Sequence, residues 1–98
     1  MKIIDVRVTE WDDDGVRNEY PFCADQTKSV YENALIALNE VVENEYFAEA
    51  EIFSPDNPDI FTSKHFPGFF AENEKEYLYC WWGINYAAGV EISILVEE

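Results

Sequence analysis

From Ile3 to Glu10 apolar residues recur at every second position, with Ile4, Val6 and Val8 on one side and Asp5, Arg7 and Thr9 on the other. That is the period of a strand with one buried face, and it constrains this chain more than any other feature. The same alternation recurs in Val16 to Ala24, through Tyr20, Phe22 and Ala24, and in Tyr77 to Tyr86, through Leu78, Cys80, Trp82, Ile84 and Tyr86. A fourth strand follows, lined by Val90, Ile92, Ile94 and Val96. Because side chains alternate faces, a slip of one residue would turn an apolar set outward, so each connecting turn can be tested against the register it imposes.

In the first pair the turn lies in Asp12-Asp13-Asp14-Gly15. A two-residue Asp14-Gly15 loop would oppose Val8 and Pro21 and put the apolar sets on opposite faces. A three-residue loop of Asp13, Asp14 and Gly15 pairs Val8 with Tyr20, Val6 with Phe22 and Ile4 with Ala24, and is the predicted connection. For the second pair, a loop of Ala87, Ala88 and Gly89 matches Tyr86 with Val90, Ile84 with Ile92, Trp82 with Ile94 and Cys80 with Val96.

Between the pairs, Ser29-Val30-Tyr31-Glu32 has the spacing of a capping box. Val30, Ala34, Ala37, Leu38, Val41 and Val42 gather on one side of a helical wheel, opposite Glu32, Asn39, Glu40 and Glu43, with Asn33 and Asn44 at the margin. This predicts a helix ending near Phe47 with an acidic outer face, in which Ile36 stands as an apolar anchor. The stretch 48–76 holds a candidate short strand at Glu51-Ile52-Phe53, a turn at Pro55-Asp56-Asn57-Pro58 and an aromatic loop from Lys64 to Phe70. The expectation is a ββαββ-type α+β single domain over residues 1–98, with an antiparallel sheet of two hairpins packed on one helix. The other face of that sheet would carry Arg7, Trp11, Arg17, Tyr79, Trp81 and Leu95. Either the 64–70 loop folds over it or it is a sticky surface for a partner.

Charge supplies the functional signal. Twenty-one Asp and Glu oppose six Lys and Arg, a net charge of −15 on 98 residues, where a soluble domain of this size ordinarily carries a magnitude of roughly 2–8. From Ser29 to Ser63 there is no Lys or Arg at all. With 48% apolar and 16% aromatic residues the chain has the means to build a core, which separates it from a disordered acidic tail. It begins without a leader-like pattern and has no apolar run of membrane-spanning length, so a cytoplasmic protein with no membrane association is expected. Cys23 and Cys80, in a reducing compartment, are expected as free thiols.

Catalytic constellations are absent from the sequence pattern. His65 is the only histidine and sits beside Lys64 in a loop, away from either cysteine-bearing strand, so no nucleophile–base pair is indicated and the chain is not expected to be an enzyme. Asp12-Asp13-Asp14-Gly15 and Asp56-Asn57-Pro58-Asp59 are oxygen-rich but lack the alternating ligands and terminal Glu of a calcium loop, and no metal or cofactor is indicated. The four glycines are isolated, which leaves no phosphate-binding loop. Direct nucleic-acid binding needs Lys and Arg; an acidic surface attracts instead the proteins that have them.

The partner expected is therefore a basic protein that handles nucleic acid. The candidate partner-binding residues are Glu32, Glu40, Glu43, Glu45, Glu49 and Glu51, the turn acids Asp12, Asp13 and Asp14, the anchor Ile36, and on the sheet Trp81 and Tyr79. In size, charge and aromatic content the chain resembles the anti-CRISPR and anti-restriction proteins that phages use against bacterial defence nucleases. That likeness implies an inhibitor acting as a nucleic-acid mimic and assigns no residue roles. The alternatives are an immunity protein neutralising a basic toxin, and an interaction module using the aromatic sheet face; homodimerisation through that face or a strand edge is left open.

Overall fold

A computed structural model describes residues 1–41, 51–53, 57–82 and 88–98. In chain order these form β1 (Lys2–Asp12), β2 (Gly15–Phe22), α1 (Val30–Val41), β3 (Glu51–Phe53), β4 (Asp59–Thr62), β5 (Glu74–Trp82) and β6 (Ala88–Glu97). The six strands make one antiparallel sheet of order β2-β1-β6-β5-β3, with β4 also paired to β5, beyond β3 along the same edge. The chain is thus α+β, as expected; the candidate strand Glu51–Phe53 is present as β3, and β4 is a further short strand between the helix and the last pair. Its centre is the long-range pairing of the first strand with the last. Among the described residues no helix is long and apolar enough to cross a membrane.

The first hairpin keeps the expected register by a different device. Val8 pairs with Tyr20 and Val6 with Phe22, yet Asp12 pairs with Gly15, so the loop is the two residues Asp13 and Asp14. A bulge between Glu10 and Trp11 restores the count, because Glu10 opposes Asn18 while Trp11 opposes Val16. Gly15 takes φ +113°, and Asp12 Oδ1 accepts the Asp14 N–H at 2.9 Å, closing the turn. A second bulge, at Ile4 against β6, turns Ile3 inward and leaves Ile4 exposed. Ile3, not Ile4, therefore joins Val6 and Val8 in the core.

The larger correction concerns β5. Trp81 pairs with Val90, Tyr79 with Ile92 and Tyr77 with Ile94, a register five residues from the expected Trp82–Ile94 and Cys80–Val96 matches; because five is odd, the opposite face of β5 turns inward. Gly89 lies in β6 opposite Trp11 and Trp82 and is not a turn residue. A Cβ there would sit 2.5 Å from the Trp11 indole, so the ring occupies space that only glycine leaves clear. Residues 83–87, the expected end of the strand and its loop, lie outside the described residues.

Helix α1 covers one face of the sheet. Val30, Ala34, Ala37 and Leu38 bury against Val6, Val8, Val90, Ile92, Ile94, Val96, Tyr79 and Trp81. Ser29 caps the helix, its Oγ accepting the Glu32 N–H at 3.1 Å. Asn33, expected at the margin of the polar face, is fully buried. Its side chain accepts the Asp25 N–H at 2.8 Å and donates to the carbonyls of Ser29 and Asp25 at 2.9 and 3.0 Å, tying the loop before the helix to its first turn.

Candidate functional site: the open sheet face

Since Val6, Ile92, Ile94, Tyr79 and Trp81 point toward α1, the intervening residues of the same strands point away from it. The cross-strand register sets them in rows: Asp5, Leu95, Glu76 and Phe61; Arg7, Ser93, Leu78 and Asp59; and Thr9, Glu91 and Cys80. Side-chain contacts agree with the rows. Arg7 reaches Asp5 and Glu19 at 3.4 Å each, the Ser93 hydroxyl donates to Glu76, and Cys80 Sγ lies 3.9 Å from Glu91 Oε2. Asp5, Glu19, Asp59, Glu76 and Glu91 are thereby carried on one hydrogen-bonded platform.

Burial shifts the titration of two groups on this face. Burial, with the nearby Glu76 carboxylate, raises the pKa of Glu91. Burial followed by the charges of Glu91 and Asp59 pushes the Cys80 thiol up to about 11, so at neutral pH it is a protonated thiol with none of the reactivity of a thiolate. In both Glu91 and Cys80 burial is the first cause disfavouring negative charge, and neighbouring carboxylates add to it. On the helix side Tyr79 is pushed up to about 12, first by burial.

At one edge of this face Phe61, Phe66, Phe69, Phe70 and Leu78 surround a hollow of about 250 Å³, with Glu76 the one charged residue lining it. The Phe66 ring stands 4.9 Å from that of Phe61 and 6.2 Å from those of Phe69 and Phe70. Their turn is fixed by Phe66 and His65 N–H groups donating to the Thr62 carbonyl and by Gly68 at φ +89°. His65 itself is exposed, its Nδ1 3.1 Å from Thr62 Oγ1. The aromatic loop thus sits at the margin of the open face, with Phe66 and Phe69 left exposed.

The sequence-predicted residues do not form one surface. Glu32 and Glu40 are exposed on the outer side of α1, with Ile36 half-buried beside them, and so lie across the sheet from the open face. Asp13 and Asp14 are exposed at the β1–β2 turn, beside the half-buried Asp12. Glu43, Glu45 and Glu49 lie outside the described residues, and Glu51 is placed only by its backbone in β3. Trp81 and Tyr79 need correction: they are 0% and 4% exposed beneath the helix, so they present no surface, whereas Arg7, Trp11 and Leu95 do lie on the open face as expected. Sequence reading passed over Asp5, Glu19, Asp59, Glu76 and Glu91. The outward positions of β1 and β6 were visible in the alternation, but the row they share with β5 depended on its phase. Among the described residues no group of three or more His, Cys, Asp or Glu side chains is placed to hold a metal ion. No protein-family model, curated protein or solved structure matches the chain.

Proposed function

We propose that this chain is a small acidic inhibitor that binds a basic nucleic-acid-handling protein, a nuclease or defence effector, by setting carboxylates where that protein accepts phosphates. The observation that carries the reading is the open face, on which Asp5, Glu19, Asp59, Glu76 and Glu91 project from paired strands and Arg7 is already bonded to two of them. Outward side chains along a strand recur about every 6.8 Å and across strands about every 4.8 Å, so the backbone ladder fixes their spacing. A mobile acidic tail would have to lose conformational freedom on binding; this array is ordered beforehand. The net charge of −15 steers a cationic partner to it.

The test is an affinity capture from bacterial lysate at low salt, eluted along a salt gradient, followed by titration of the recovered protein. Nucleases or other nucleic-acid-binding proteins should elute with rising salt, and free nucleic acid should compete. Glu19→Lys with Asp59→Lys should weaken binding strongly, while Glu32→Lys with Glu40→Lys on the far side should not. Affinity unmoved between low and high salt would refute the mimicry.

A further inference from the structure

We propose that the phenylalanine-lined hollow is a socket for one arginine side chain of the basic partner, an assignment that rests on the function proposed above and names its anchor. The hollow combines two chemistries, aromatic walls and one carboxylate. Its walls are the rings of Phe61, Phe66, Phe69 and Phe70 with Leu78, and its charged lining is Glu76 alone. Phe61 is directly cross-strand from Glu76, so β4–β5 pairing fixes their relation. The Ser93 hydroxyl donates to Oε1 of Glu76 and orients the carboxylate. Phe69 is 80% exposed, an aromatic ring at the rim of the hollow on a chain of net charge −15.

An apolar guest would leave Glu76 facing a desolvated neighbour, which is costly. A cation answers both features, since ring faces attract positive charge and the carboxylate accepts its N–H groups. Among protein cations the planar, weakly hydrated guanidinium stacks on rings and loses less on leaving water than the compact ammonium of lysine. Arginine is also a residue with which phosphate-binding proteins grip their ligand, so a partner built for nucleic acid has such a side chain to offer.

The experiment follows the phenylalanine ring signals by NMR in protein labelled with ¹³C at aromatic carbons, titrated with N-acetyl-arginine amide, N-acetyl-lysine amide and tetramethylammonium. Saturable shifts of the Phe66, Phe69 and Phe70 rings are expected with the arginine probe, with affinity several-fold above the lysine probe, and Glu76→Gln or Phe69→Ala should each weaken it by roughly tenfold. Glutamine retains an acceptor for Ser93 and Phe69 is a rim residue, so both variants should keep the parent amide spectrum elsewhere. No saturable shift with arginine overturns the assignment, as does tighter binding of tetramethylammonium or an affinity indifferent to Glu76→Gln. Saturable arginine binding together with a lysate capture that yields no basic protein would leave the socket standing and remove the proposed function. The reverse result, a salt-sensitive partner indifferent to Phe69→Ala and Glu76→Gln, would remove the socket alone.

Discussion

Replacing Asn33 with alanine should be among the most damaging single changes available to the helix. Its side chain makes three well-formed hydrogen bonds, one accepted from Asp25 N–H at 2.8 Å and two donated, to Ser29 O at 2.9 Å and Asp25 O at 3.0 Å. Each such bond contributes about 0.5–1.5 kcal/mol net, and a buried group left without a partner costs more. Because the loop at Asp25 is only partly buried, water recovers some of this, and the expected loss is about 2–4 kcal/mol. On a chain of 98 residues a loss of 3 kcal/mol lowers Tm by roughly 12–24 °C. Urea denaturation at pH 7, followed by tryptophan fluorescence, reads it through Trp81 in the core, with Asn39→Ala on the exposed side as a control near zero. Asn33→Asp adds a pH signature. A carboxylate buried against carbonyls has a folded-state pKa raised above its unfolded value of about 3.9. Stability is then retained below about pH 4 and lost as pH rises through the raised value. An Asn33→Ala midpoint within 0.5 kcal/mol of the parent, by the same kind of estimate, would refute the claim that this side chain clamps the helix start.

Gly89→Ala should destabilise by about 1–2 kcal/mol, since its Cβ would meet the Trp11 indole at 2.5 Å and overpacking outweighs the strand preference of alanine; the penalty should vanish in a Trp11→Leu background. Iodoacetamide at pH 8 should alkylate the exposed Cys23 at least about tenfold faster than Cys80, whose thiol at about 11 is nearly all protonated; equal rates by mass spectrometry would contradict the burial of Cys80 among acids. Glu91 has a raised folded-state pKa, so its ionisation opposes folding: its contribution is most favourable below the unfolded value of about 4.3 and is lost as pH rises through the folded one. Glu91→Gln should therefore raise the urea midpoint at pH 7 and leave it unchanged at pH 3.5, and a lower midpoint at pH 7 would show that the ionised carboxylate is favoured where it stands.

The first hairpin was legible because Asp5, Arg7, Thr9 and Glu19 alternate with Val6 and Val8, so only one register buries the right set. That constraint held even where the turn was misjudged, and a bulge near Arg17 supplied the residue that the shorter loop lacked. In β5 the constraint fails. Leu78, Cys80 and Trp82 are apolar, and so are Tyr77, Tyr79 and Trp81, so alternation alone gives either phase an acceptable core. The aromatic cluster was visible as a Phe-rich loop, but its position over Leu78 and Glu76 follows from β4 pairing with β5, a contact with no local signature.

Local chemistry in the sequence determined the strand-rich α+β character, the Ser29 cap, the inward set of β6 and the excess of anions, because each depends on neighbours a few residues away. Tertiary structure decided which face of β5 is buried, which isoleucine of Ile3-Ile4 enters the core, and which acids share a surface. Those outcomes turn on bulges and on pairing between the chain's first and last strands, where a shift of one residue exchanges the faces and only the assembled sheet selects between them.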